Sequence, residues 1–122
     1  MQNAWLLGAG LAMALIWAIH TFLGGRDIAR PLVRADLEDV VKWTQYYCWH
    51  LVTLTLAGLS LALIGGGLDA RLTGAAGLAA ILTTAFGIYG LILPRRVGLA
   101  YAVMPQGFLL LPVGLAGLWG LA

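Results

Sequence analysis

Long apolar runs separated by short polar stretches set the pattern of this chain. The first run extends from about Ala4 to Leu23, broken only by small residues such as Gly8, Gly10, Ala12 and Ala14. Its length of roughly 20 residues is enough for one helix to cross a ~30 Å hydrocarbon core. The polar stretch from Gly24 to Val41 comes next. Arg26, Arg30 and Arg34 recur there at every fourth position, so a helix would carry them on one face. Pro31 predicts a break in any such helix. Asp36 followed by Asp39 resembles a capping box and predicts a new helix starting near Leu37.

The second apolar run reaches about Ile64, where Gly65-Gly66-Gly67 predicts its end. The third spans about Leu72 to Leu93 and is closed by Pro94-Arg95-Arg96. Its Gly74, Gly77, Ala80, Thr84 and Gly87 fall at helical spacing, a surface that another backbone can approach closely. The fourth spans about Gly98 to Trp119, with a kink expected near Met104 to Gly107, beside Pro105. The predicted fold is therefore an all-α membrane protein. It is a single domain over 1–122, a bundle of four antiparallel transmembrane helices at about 4–23, 37–64, 72–93 and 98–119.

Composition agrees with lipid as the solvent: 61% of residues are hydrophobic, 10% are charged, and the mean hydropathy is +0.93. A soluble domain carries roughly 25% charged residues. Met1-Gln2-Asn3 has no positive n-region, so the first run reads as a retained span rather than a signal peptide. The net charge of +2 gives no basis for nucleic-acid binding. Cys48 is the only cysteine, which excludes an intramolecular disulfide and any CxxC metal site.

The distribution of charge matters more than its sum. Arg26, Arg30, Arg34, Lys42, Arg95 and Arg96 flank one end of the predicted bundle, whereas the other carries Arg71. The positive-inside rule then places loops 24–41 and 94–97 in the cytoplasm and both termini outside, as in a bacterial inner-membrane protein. Trp5, Trp43, Trp49 and Trp119 fall where interfacial aromatic belts are expected.

Side chains able to do chemistry concentrate at the start of the second span. Projected at ~100° per residue, Trp43, Tyr46, Tyr47, His50 and Thr53 share one face, while Gln45 and Trp49 point elsewhere. Polar groups at such depth should face the bundle interior. His50 falls ~10 Å deep, with His20 a few ångström shallower. Tyr101 and Gln106 reach comparable depth on the fourth span, and Arg26 and Lys42 ring the mouth. These residues predict a polar pocket formed by spans one, two and four.

The pocket suggests a binding site for a hydrophobic or lipid-like ligand (a quinone, a porphyrin or an acyl chain), with Arg26 and Lys42 taking an anionic head. His20 and His50 could ligate a metal, and as an axial pair would hold a haem. A non-enzymatic assembly subunit of a membrane complex is the alternative, and a small transporter or channel the third. The small-residue face of the third span also leads us to expect a homo-oligomer.

Overall fold

The computed structural model describes residues 2–122. Among these residues every regular element is helical. Three helices are long and apolar enough to cross a membrane: Ala4–Arg34, Asp39–Leu68 and Ala70–Val97. We call the first two α1 and α2. The third comprises a 3-10 turn, Ala70–Leu72, and α3, Thr73–Val97. A shorter apolar helix, α4, covers Gln106–Trp119.

Helix α1 begins at Asn3, whose side chain caps it by accepting from the backbone N–H groups of Trp5 and Leu6, both at 3.1 Å. The same residue ties three helices together. Its backbone N–H donates to the Gly67 carbonyl at 2.8 Å, and its Nδ2 donates to the Gly120 carbonyl at 2.5 Å. The end of the bundle that holds the chain termini is closed by this latch.

At its other end α1 passes the expected stop at Leu23. Its backbone switches to π-helical winding over Ile19–Ala29 and returns to an α-helix over Arg30–Arg34. Pro31 does not break it; it stands at the junction where the π-wound turns pass back into α-helix. The polar stretch expected to be a loop is therefore mostly helix, and the turn is confined to residues 35–38. Helix α2 starts at Asp39, two residues later than predicted. The expected side-chain cap does not form. Asp39 instead places a carboxylate in the first turn, where the helix dipole favours it.

The three consecutive glycines do not end α2, which runs through them to Leu68. They allow close approach instead. A Cβ on Gly67 would lie 2.7 Å from Leu7 Cγ, and one on Gly66 would collide with the Cβ of Ala76. Beyond α2, Asp69 accepts from the Arg71 side chain and from its backbone N–H, which holds the Asp69 carboxyl below its ordinary range.

Helix α3 likewise continues past its predicted end, through Pro94 to Val97, and stops at Gly98 in the left-handed conformation with φ 72°. Residues 98–105, expected to begin the fourth span, are non-helical. The predicted kink is thus a full break. At ~21 Å for its 14 residues, α4 is too short to cross a hydrocarbon core by itself.

The helices pack in a ring, with α1 beside α2, α2 beside α3, α3 beside α4 and α4 beside α1. Three of them bury the same spacing of positions: Leu6, Ala9, Gly10 and Met13; Leu56, Leu59, Ser60 and Leu63; Ala76, Ala79, Ala80 and Thr83. The i, i+3, i+4, i+7 series gives each helix one inward stripe. Helix α4 completes the core with Val113, Gly114 and Gly117. Ser60, buried among these, donates to the Gly10 carbonyl at 2.9 Å.

Small residues bring α3 and α4 closest. A Cβ on Gly87 would lie 2.5 Å from Leu111 N, and one on Gly90 2.7 Å from Gly107 N. Of the small-residue series of the third span, Ala80 and Gly87 are spent inside the chain, whereas Gly74 is exposed with open space at its Cβ position. The outer faces stay apolar, as Leu54 and Leu61, each 70% exposed, illustrate. Such a surface is compatible with an integral membrane protein.

Candidate functional site

The buried stripe of α2 stops at Leu56 toward the basic end of the bundle. Below it, α2 faces the π-wound and terminal turns of α1 across an open groove of about 440 Å³. Every lining residue comes from these two helices.

The α2 wall is aromatic. The rings of Trp43 and Tyr46 meet edge to face at 6.0 Å, and those of Tyr46 and His50 at 4.6 Å. Edge-to-face contact places a positive ring edge on a negative ring face, which fixes the series in one arrangement. The upper end of the groove is sealed by His20, Trp49 and Thr53. His20 stacks on Trp49, with centroids 3.9 Å apart and planes 16° apart, and its Nε2 lies 3.0 Å from Thr53 Oγ1. The Thr53 hydroxyl donates to the Trp49 carbonyl at 3.1 Å, and in the tautomer that carries its proton on Nε2 His20 donates to Thr53 Oγ1. Gly24 makes room for the indole: a Cβ there would lie 2.6 Å from Trp49 Cη2.

The α1 wall is cationic. Arg26, Arg30 and Arg34 all line the groove, with Gly25 and buried Ala29 giving it depth between them. Arg26 is held by its neighbour: Nε donates to Asp27 Oδ1 at 2.6 Å and Nη2 to Oδ2 at 2.9 Å. Among the described residues the ion pairs are Arg26–Asp27 and Arg71–Asp69, so Arg30 and Arg34 have no acidic partner.

Of the residues singled out in the sequence, His50, Tyr46 and Arg26 line this groove. His20 adjoins it through Trp49 and Thr53. It lies opposite Thr53, one turn above His50, and is therefore the deeper imidazole rather than the shallower one. The reversal comes from the late turn at 35–38, which shifts the pairing of the two helices. Tyr47 is 62% exposed and does not line the groove, and neither does Lys42.

Tyr101 and Gln106 belong to the other hairpin. The Tyr101 hydroxyl donates to the Leu91 carbonyl at 2.9 Å, its ring meets Phe108 edge to face at 5.0 Å, and the Arg95 guanidinium sits 5.8 Å above it. Gln106 opens α4 with its side chain exposed. The groove is built by spans one and two alone.

Trp49, Thr53, Arg30 and Arg34 are not assigned to the pocket by the sequence, although Thr53 shares the His50 face in the helical projection. The inward stripe of α2 reveals the first two. Trp49 and Thr53 stand seven residues before Leu56 and Ser60, on the same stripe, whereas a projection centred on His50 turns Trp49 away. The arginine repeat was visible, but Pro31 argued against the helix that makes it a ladder.

Among the described residues no three His, Cys, Asp or Glu side chains gather as a metal site. The His20 Nε2 is engaged by Thr53, and one face of its ring is covered by Trp49. Chemically the groove offers two free guanidinium groups, an imidazole, a phenol and an apolar aromatic wall. Comparison with protein families, curated proteins and solved structures finds no match to this chain.

Proposed function

We propose that the chain is a four-helix integral membrane protein that binds a lipid-like ligand with an anionic head in the groove between α1 and α2. Six cationic side chains (Arg26, Arg30, Arg34, Lys42, Arg95 and Arg96) flank one end of the bundle and Arg71 the other. This asymmetry supports a cytoplasmic basic end and outward termini in an inner membrane. Counting ~30 Å from Gly67 at 1.5 Å per residue reaches about Tyr47 on α2, and from Ala4 about Gly24 on α1. His50, Trp49 and Thr53 then lie just inside the hydrocarbon boundary. Tyr46 sits at that boundary, and Arg26, Arg30 and Arg34 lie in the head-group layer.

The observation that carries the reading is the pairing of two arginines that lack acidic partners with an aromatic wall across one open groove. An amphiphile satisfies both sides at once. Its head takes charge-assisted bonds from Arg30 and Arg34. Its tail lies along Phe22 and Trp49, and His50 and Tyr46 offer hydrogen bonds where head meets tail. The engagement of His20 by Thr53 favours such a ligand over a porphyrin held between two imidazoles.

Mass spectrometry of organic extracts from protein purified in mild detergent tests the proposal. An anionic amphiphile should copurify, and His50→Ala and Arg30→Gln should each deplete it while the protein still inserts. A ligand-free wild type, or a ligand indifferent to both substitutions, would refute it. An absorption spectrum of the same sample covers the redox alternative, since a Soret band lost in both His50→Ala and His20→Ala would assign the groove to a haem.

A further inference from the structure

We infer that the head group taken by this groove is a phosphate dianion, a monoester or diphosphate, rather than a diester or a carboxylate; this rests on the groove being the amphiphile site proposed for it. Charge counting is the first ground. Three guanidinium groups line the α1 wall, and Asp27 closes on one of them, Arg26, through two bonds. Two cations, Arg30 and Arg34, stay open to a ligand, so a monoanionic head would leave one of them uncompensated.

Geometry is the second ground. One helical turn, ~6 Å, separates Arg30 from Arg34, and each presents a planar fork of N–H donors. To meet two forks from different sides, a head group needs oxygens pointing in more than one plane. A phosphate monoester has three free oxygens in a tetrahedral array, a diester two, and a carboxylate two in a single plane. The monoester or diphosphate can accept bidentate bonds from both arginines.

Asp27 then acts as an internal competitor. It holds Arg26 in the place that a third contact to the ligand would take. Removing its charge should strengthen binding, the opposite of the effect of damaging a structural ion pair.

The test uses the full-length protein in nonionic detergent at pH 8, with dodecyl phosphate and dodecyl sulfate as probes. The two share chain length and a tetrahedral head, but above a second pKa of about 6 the phosphate monoester carries two charges. Dodecyl phosphate should bind about tenfold more tightly, the equivalent of about 1.4 kcal/mol. Arg30→Gln and Arg34→Gln should each bring its affinity down to that of the sulfate, and Asp27→Asn should raise it several-fold.

Equal affinity for the two probes, lost in Arg30→Gln, would overturn the dianion and leave the amphiphile reading standing. Binding of neither probe would overturn both. Inorganic phosphate is the remaining arm. If it displaces dodecyl phosphate at equal concentration, the tail contributes nothing and the ligand is a soluble phosphate, which overturns the lipid-like reading.

Discussion

His20 lies face to face on Trp49, 3.9 Å between ring centroids, and so joins the π-wound part of α1 to α2 below the last buried residues of the bundle. The contact is backed by the hydrogen bond between His20 Nε2 and Thr53 Oγ1 and by the missing side chain at Gly24, whose place the indole takes. Thr53→Val keeps the shape of the side chain but leaves Nε2 without a partner. It should cost about 1–3 kcal/mol of stability in a thermal or denaturant melt followed by circular dichroism. Adding His20→Leu to Thr53→Val should cost less than the two single effects summed, because both remove one interaction.

Gly24 should tolerate no side chain. Its Cβ would meet the indole, and that ring is held in its stack with His20. Gly24→Ala should lower stability by about 1–3 kcal/mol. It should also change Trp49 emission, read in a variant whose other tryptophans are replaced by phenylalanine. Unchanged emission would mean that the stack is not held in this way.

The glycines fall into two groups with opposite expected signs. At Gly90 an added Cβ would lie 2.7 Å from the backbone nitrogen of Gly107, so Gly90→Ala must force α3 and α4 apart and destabilise by about 1–3 kcal/mol or more. Gly58, in the middle of α2, has nothing within 4 Å of its Cβ position. Gly58→Ala should be neutral or stabilise by about 0.5–1 kcal/mol through helix propensity alone. Parallel melts of the two variants check both signs.

The Asp69–Arg71 contact predicts a pH-dependent difference. The Asp69 carboxyl is held below its ordinary range, first by the bond to the Arg71 side chain and then by the Arg71 backbone N–H. A depressed folded-state value stabilises above the ordinary Asp range, about 3.9, and the benefit disappears as pH falls through the lower folded value. The melting temperature of wild type should therefore exceed that of Asp69→Asn from pH 7 to about 5, and the gap should close below about 4. Because the pair is exposed, salt should narrow the gap at neutral pH.

Hydropathy alone located the helices, because an apolar run of ~20 residues has few alternatives. Their ends were harder to read, because the residues that punctuate soluble chains serve packing here. Gly65-Gly66-Gly67 reads as a stop and is a contact surface for Leu7 and Ala76. Pro31 and Pro94 read as breaks and stand within continuous helix. These boundaries mattered for the site. Extending α1 to Arg34 turned a loop of charges into a ladder, and moving the turn to 35–38 set His20 opposite Thr53. The aromatic and histidine residues of α2 were legible as chemistry. Their partner helix was not, because Tyr101 and Gln106 lie at similar sequence depth but on a hairpin that turns back at Gly98.

Photolabelling tests the central claim most directly. A phosphate-headed amphiphile bearing a diazirine in its tail would be crosslinked to the full-length protein in mixed detergent micelles, and the labelled peptides mapped. Binding in the groove predicts labels concentrated on Phe22 and Trp49, and their loss in the Arg30→Gln/Arg34→Gln protein. Labels spread evenly over the outward faces at Leu11, Leu61 and Leu78, unchanged by the arginine substitutions, would show that the amphiphile only coats the apolar surface and would contradict the account.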